Sequence, residues 1–385
     1  MPGSRVILIS PEYPPVRGGV ADHSRCLARQ LSSSLDVTVL TSAGAEVPEV
    51  DRDGFPVARA VADWQSSALL LEAISHHSSD HRILWQYVPH MFGRGGVNLS
   101  LPRVLAQLRR QGRRQILLAH EIAAPFSPWP HRFIYAAAHR WQWNRITRSI
   151  DGVGISTETW LEHQKQRHPA SAGKFRLTPS PSNIPHRRAV NAEIEAWKTS
   201  VGLEAAGLVL TYFGTISASK RFGWVTEAFE RCLETRKDLS LVVIGDKPRT
   251  GLDREFGSRL KALGYLHPSD ADLALQSSHM VLLPFLDGAS ERRTSLMAGL
   301  QHGCPVLTTA GAATGPSLRQ AGFLARVDAS NREGFAQACV DLIGDPARRV
   351  ALGQAAERAY IERYDWSRVT ETLSEMLLPH TARPT

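Results

Sequence analysis

Cysteine is scarce: Cys26, Cys232, Cys304 and Cys339 lie far apart in 385 residues, with no C-x-x-C pair. That leaves neither a disulfide framework nor a cysteine zinc site to read, and a reducing cytoplasm is the simpler expectation. No stretch approaches eighteen consecutive apolar residues, so no membrane-spanning helix is expected. The apolar run within Met1–Ser10 is too short for a secretory core and reads as a buried strand. No short-period repeat appears, and 43% hydrophobic with 21% charged residues excludes a collagen, a coiled coil or a disordered chain. The length predicts two or three domains with ample core. What is in excess is positive charge. Lys+Arg number 45 against 37 Asp+Glu, a net charge of +8 and a pI near 9.6. An anionic partner is expected: a nucleotide, a phosphorylated substrate, an acidic membrane or nucleic acid.

Short β-branched runs alternate with amphipathic stretches. Strands are expected at Val6–Ser10, Val37–Leu40, Ile83–Tyr87, Ile116–Ala119 and Val153–Ile155. Helices are expected at Val20–Leu31, Leu69–His76, Leu101–Arg110, His131–Thr147 and Thr157–Gln166. Turn-rich Pro179–Pro185 breaks the rhythm as a candidate hinge. The pattern then restarts with strands Leu208–Phe213, Leu241–Ile244, Met280–Leu283 and Val306–Thr308. Its helices are Phe222–Thr235, Arg254–Leu263, Ser295–Gln301, Arg332–Ile343 and Pro346–Tyr364, then a last one to Leu378. Such alternation implies βαβ units and parallel sheets, with ligands at the carboxyl ends of strands.

Gly18-Gly19 sits between the first strand and its helix. Small residues there let backbone N–H groups approach a phosphate or sugar; a tight turn uses the same residues and is the simpler reading of the pair alone. Lys220, past the end of the Leu208–Phe213 strand, is either a point charge for a diphosphate or a solvated surface residue. Ser290-Glu291-Arg292-Arg293-Thr294-Ser295 leads into a helix. Free N–H groups, hydroxyls and two guanidinium forks form a phosphate cradle there, whereas a merely basic first turn would oppose the helix dipole.

The string Ile9-Ser10-Pro11-Glu12-Tyr13-Pro14-Pro15, then Gly18-Gly19-Val20-Ala21 and His23, resembles the N-terminal signature of family-4 glycosyltransferases with the GT-B fold. Further segments follow in that family's order: Leu84–Pro89 with Phe92-Gly93, Leu117–Glu121, Phe213–Ile216 with Lys220, Val243–Asp246, Leu283–Phe285, Gly303–Thr309 and Tyr364–Ser367. Nearly the whole chain is covered. Each piece alone is weak; their joint order is specific.

The resemblance implies an α/β GT-B fold of two Rossmann-like domains facing across a cleft. Residues 1–185 would bind acceptor and 186–362 the nucleotide-sugar donor, with 363–385 a helix able to cross back to the first domain. The implied activity is transfer of a sugar, with retained configuration, to a glycan, a lipid-linked or a small-molecule acceptor, in polysaccharide or glycoconjugate synthesis. His120, Lys220 and Arg293 would be catalytic, His120 donating a hydrogen bond to the sugar or leaving phosphate. Gly18, Gly19, Gly214, Thr215, Lys220, Ser290, Glu291, Arg292, Arg293, Thr294 and Ser295 would bind donor. Tyr13, His23, Tyr87 and Glu121 would face the acceptor. Catalysis would rest on positioning and charge. No cofactor and no metal are expected, since no ligand cluster shows in the sequence and His76-His77 reads as a surface pair.

Two departures stand out. Thr215 replaces an Arg common in the family. Ser290 and Ala298 occupy the positions of its Glu-x7-Glu pair, so neither of those carboxylates is present; Glu291 and Asp287 lie nearby. A catalytically silent GT-B subunit, or another sugar-nucleotide enzyme such as an epimerase, are the alternatives. Arg103–Arg114 and His139–Arg148, the latter with Trp141 and Trp143, suit either a packed helix with a basic coat or peripheral contact with an anionic membrane at its inner face. The aromatics form no stacking series, so nucleic acid is not expected.

Overall fold

The structure, a computed structural model, describes residues 4–16, 18–44, 54–124, 126, 129–203, 207–245 and 256–378. The chain forms two compact units, Met1–Pro179 with Trp366–Thr385, and Ser180–Asp365.

The first unit is built on strands β1 (Arg5–Ile9), β2 (Asp36–Ser42), β3 (Val57–Val61), β4 (Arg82–Tyr87), β5 (Gln115–Ala119), β6 (Gly152–Ile155) and β7 (Phe175–Leu177). They pair in parallel in the order β3-β2-β1-β4-β5-β6-β7. β1 lies between β2 and β4, with Ile9 opposite both Leu40 and Trp85. Buried on both faces, β1 and β5 read as near-continuous apolar runs rather than alternating ones. Among the described residues six helices connect the seven strands: α1 (Gly19–Leu31), α2 (Ser67–Ser75), α3 (Pro89–Phe92), α4 (Ser100–Arg110), α5 (Pro130–Ser149) and α6 (Glu158–Arg167). In α1, Ala21, Ser24, Leu27, Ala28 and Leu31 fall on one face at helical spacing and are buried.

The second unit repeats the plan with β8 (Leu208–Gly214), β9 (Leu239–Gly245), β10 (Leu260–Gly264), β11 (Met280–Leu283), β12 (Val306–Ala310) and β13 (Ala325–Asp328). Their order is β10-β9-β8-β11-β12-β13, again all parallel. Its described helices are α7 (Asn191–Ser200), α8 (Phe222–Thr235), α9 (Pro268–Gln276), α10 (Thr294–Gln301), α11 (Pro316–Arg319), α12 (Arg332–Gly344) and α13 (Pro346–Ala359). In both sheets the order reverses beside the first strand, β1 or β8. The crevice outside the carboxyl ends of β1/β4 and of β8/β11 is therefore where such a sheet takes ligands.

The last helix, α14 (Trp366–Leu377), belongs to the first unit. Trp366, Val369, Leu373 and Leu377 form its apolar stripe and are buried against Val6, Leu8, Leu27 and Leu84. The units part at Pro179/Ser180 and Asp365/Trp366, not after 185 and 362. Turn-rich residues past Pro179 are tied into the second unit: Ser180 N–H donates to Glu291 O and Ser182 N–H to the Tyr360 hydroxyl.

The helix expected at Arg254–Leu263 is corrected. Residues 254–255 lie outside the described residues, and the rest forms a 3-10 turn, Gly257–Arg259, then strand β10 in register with β9. A run as short as Leu-Lys-Ala-Leu-Gly is decided by its sheet partner, not by propensity. The Pro346–Tyr364 helix ends at Ala359 in a π-turn, Tyr360–Tyr364. Two cysteines that are distant in sequence meet in the core, as thiols with Cys232 Sγ and Cys339 Sγ 3.5 Å apart. Among the described residues no helix is long and apolar enough to cross a membrane.

Candidate active site

In the second unit the chemistry gathers at the carboxyl end of β8. Gly214 ends that strand at φ 122°, a backbone open to glycine but not to residues with a Cβ. A Cβ there would come within 2.3 Å of Lys220 Nζ and 3.7 Å of Ser295 Cβ. The lysine ammonium therefore lies against bare backbone, beside the first turn of α10. Lys220 is held by backbone pairing: it bridges antiparallel to Phe285, Leu286 N–H donates to Ser219 O, and Arg221 N–H to Pro284 O. Thr215 is exposed on the same loop.

Phe285 also carries the second cation. The Arg293 guanidinium sits 4.8 Å from its ring centroid and is ion-paired with Asp287; Arg292 lies 3.7 Å from the other Asp287 oxygen. The basic first turn of α10 looked electrostatically uncompensated in the sequence. The structure corrects this: one carboxylate offsets both arginines and holds their forks at the helix start. Gly288, at φ 93°, makes the loop possible, since a Cβ there would meet Gly311 N and Thr314 Oγ1 at 2.3 Å. Arg292, Arg293 and Thr294 are partly exposed, but Ser290 and Glu291 are 0% and 1% exposed. Those two side chains face protein and cannot touch a donor as the loop stands. Ala298 is likewise buried, within an apolar cluster. Asp287 is engaged by the arginines.

In the first unit, Gly18 and Gly19 precede and open α1, and no side chain caps that helix end. Neither glycine lies in the left-handed region, Gly18 being extended at φ 171°; a Cβ at Gly18 would come within 3.3 Å of Glu12 Oε2, and one at Gly19 would meet no described atom within 4 Å. The tight-turn reading therefore gains nothing from the backbone dihedrals, and only Gly18 is sterically confined. His120 follows β5; its backbone N–H donates to Tyr87 O and its Nε2 meets Gln86 Oε1. Burial pulls its pKa down to about 4, so the ring is neutral near pH 7. We assign Nε2–H as the donor to Gln86, which leaves Nδ1 an acceptor, the reverse of the donor role expected. His23 packs edge-on against it with ring centroids 4.6 Å apart, and burial holds its pKa well below the usual value.

Three acceptor candidates are corrected, His23 at 2% exposure among them. Tyr13 and Tyr87 are 1% and 0% exposed. The Tyr87 ring stacks on Phe92, and its hydroxyl accepts from Gln142 Nε2 at 3.0 Å. Burial raises its pKa above the ordinary phenol value. Both are packing residues. Glu121 stays partly exposed beyond β5, near enough to His139 to influence its charge.

Sequence reasoning missed Gln86, the partner of His120, and Asp287 as the clamp on two arginines. It also missed a cluster of His186, Asp272 and His302 whose ligand atoms lie within 4.8 Å of one another. No spacing pattern announces that cluster, because its members come from three separate segments.

Residues 207–345 match the family model for group 1 glycosyl transferases. No curated protein sequence matches the chain. Three similar solved structures are sucrose-phosphate synthase from Thermosynechococcus elongatus, HepE from Anabaena in complex with UDP and glucose, and WaaG, a glycosyltransferase involved in lipopolysaccharide biosynthesis. The first is 17% identical with a TM-score of 0.70 over 97% of this chain and 98% of that one. HepE is 14% identical at 0.71 over 97% and 99%. WaaG is 16% identical at 0.69 over 97% and 100%. The two-sheet architecture is thus that of GT-B glycosyltransferases, and the matched stretch contains the whole Gly214–Lys220–Arg293 constellation.

Proposed function

We propose that the chain is a glycosyltransferase that moves a sugar from a nucleoside-diphosphate donor with retention of configuration. The observation that carries this reading is the convergence of Gly214, Lys220, Arg293 and the start of α10 at the carboxyl end of β8. Lys220 supplies a point charge, the arginines a planar fork, and the helix start its N–H groups. Together they neutralise a diphosphate leaving group as the bond breaks. This reading assigns that charge to side chains, with no cofactor and no metal in the step. The UDP bound by HepE makes UDP-sugars the first donors to try.

In the proposed step the acceptor hydroxyl forms the new C–O bond on the face the diphosphate leaves. The anomeric C–O bond to phosphate breaks, and a departing phosphate oxygen takes the hydroxyl proton. The first unit is assigned the acceptor, with His120 accepting a hydrogen bond from a sugar hydroxyl through Nδ1. Phe126, Trp129, Phe133 and Ile134 are 53–66% exposed, with the Arg140 guanidinium 3.8 Å from the Phe126 centroid. This apolar surface rimmed by cations favours a lipid-linked acceptor and peripheral contact with an anionic membrane. Vesicles with and without anionic lipid, sedimented with the protein, check that part.

A second reading, a catalytically silent subunit, is favoured by one observation. The Glu-x7-Glu positions hold Ser290 and Ala298, both fully buried. Incubating the purified chain with UDP-, GDP-, ADP- and dTDP-sugars separates the two. Donor hydrolysis or transfer, with the product anomer read by NMR, supports the enzyme. A donor that binds without turnover supports the silent subunit.

A further inference from the structure

We propose that His186, Asp272 and His302 form a site for a divalent transition-metal ion of the zinc class. His186 lies in the segment before α7, Asp272 in α9, and His302 caps the carboxyl end of α10. The site is at the other end of α10 from Arg293 and Ser295, so it stands whether or not the glycosyltransferase reading does.

The argument is an account of donors and acceptors. His302 Nδ1 lies 2.7 Å from Ala298 O. A carbonyl only accepts, so Nδ1 carries the hydrogen, and the other ring nitrogen presents a lone pair. That nitrogen, Nε2, faces Asp272 Oδ1 at 3.0 Å. Two lone pairs at that distance, with the His302 side chain 0% and Asp272 3% exposed, need a positive centre shared between them, a ring proton or a metal ion. His186 Nδ1 points at the same carboxylate oxygen from 3.2 Å. Hydrogen bonds from Nε2–H of His302 and Nδ1–H of His186 would answer these contacts one by one; a single divalent ion answers both histidines and the carboxylate together.

Dimensions and surroundings agree. Tetrahedral zinc with bonds of about 2.0–2.1 Å sets its ligand atoms roughly 3.3 Å apart. Two of the three edges here are 3.0 and 3.2 Å, and all lie within 4.8 Å. Two of the three ligands are already oriented by an outer partner, as metal ligands are. Ala298 O holds His302, and Gln276 Nε2 donates to Asp272 Oδ1 at 2.7 Å. The carboxyl end of a helix favours positive charge. His186 is 20% exposed on its side chain, so the cluster lies within reach of solvent. Bound there, the ion clasps the segment entering the second unit to α9 and α10.

The test uses the full-length, tag-free chain, stripped by a chelator and then titrated calorimetrically with Zn2+, with Co2+ as a spectroscopic probe. One zinc ion per chain, a raised Tm and the visible absorption bands of tetrahedral cobalt are expected. His186→Ala, at the half-buried ligand, is expected to abolish both metals' binding while circular dichroism stays unchanged. Asp272→Asn is expected to weaken zinc at least about tenfold. The wild-type cobalt spectrum stands independent of either variant's folding. No zinc binding by the wild type, or binding that is the same in His186→Ala, overturns the proposal and leaves the three side chains joined by hydrogen bonds alone.

Discussion

The two units share one strand order yet arm the ends of their strands differently. Beyond β8 the second unit sets out full charges: Lys220, Arg292 and Arg293, with Asp287 between the arginines. Beyond β1 and β5 the first unit sets out neutral rings, buried His23 against half-buried His120, and an uncapped helix start. Burial that would be costly for a lone charge is what keeps the histidines uncharged. The topology thus places a site without choosing its chemistry. A charged end suits a diphosphate; a neutral, hydrogen-bonding end suits a polyol.

If that division is right, the largest effects come from the charged end. Lys220→Ala and Arg293→Ala are each expected to lower kcat/KM for transfer by about 10²–10³, measured at saturating acceptor. Equal rates for variant and wild type would break the contrast from the donor side.

The neutral end should betray itself in pH dependence. An unfolded histidine protonates near pH 6.5, whereas His120 in the fold does so only near 4. Between those values the unfolded chain binds more protons. The contribution to stability is therefore complete above about pH 6.5 and declines as pH falls toward 4. His120 accounts for at most about 3 kcal/mol of that decline. His23 adds to it in the same direction. Urea melts between pH 7 and pH 4 measure it, and His120→Gln should flatten the curve.

Smaller still is Gly214→Ala, which forces a Cβ into the left-handed region and onto Lys220. A loss of about 1–3 kcal/mol in chemical denaturation is expected. Gly19→Ala sharpens the comparison most delicately. Open space surrounds that position, so stability should hold within about 0.5 kcal/mol. A fall in turnover with stability unchanged would show that a ligand needs the bare backbone.

Much of this was legible in the sequence where the determinants are local. Apolar runs marked β1, β4, β5 and β8, and the loop from Gly214 to Lys220 is too short to let them part. A last helix to Leu378 was expected, and its buried stripe is Trp366, Val369, Leu373 and Leu377. What escaped depended on partners distant in the chain. Three-residue β7 and the β10 segment become strands only because a neighbour pairs with them. Tyr13 and Tyr87 look like site residues by motif, but packing buries them. Asp287 reads as a candidate sugar ligand until the arginines are seen on it. The His186–Asp272–His302 cluster has no sequence signature, because folding alone unites its members.

The central claim, that the charged end of the second unit grips the donor and the neutral end of the first does not, has a direct measurement. It is calorimetric UDP binding to the wild type, Lys220→Ala and His120→Ala. The account predicts binding by the wild type, at least about tenfold weaker binding by Lys220→Ala, and wild-type affinity in His120→Ala. Unchanged affinity in Lys220→Ala, or a loss confined to His120→Ala, would contradict it.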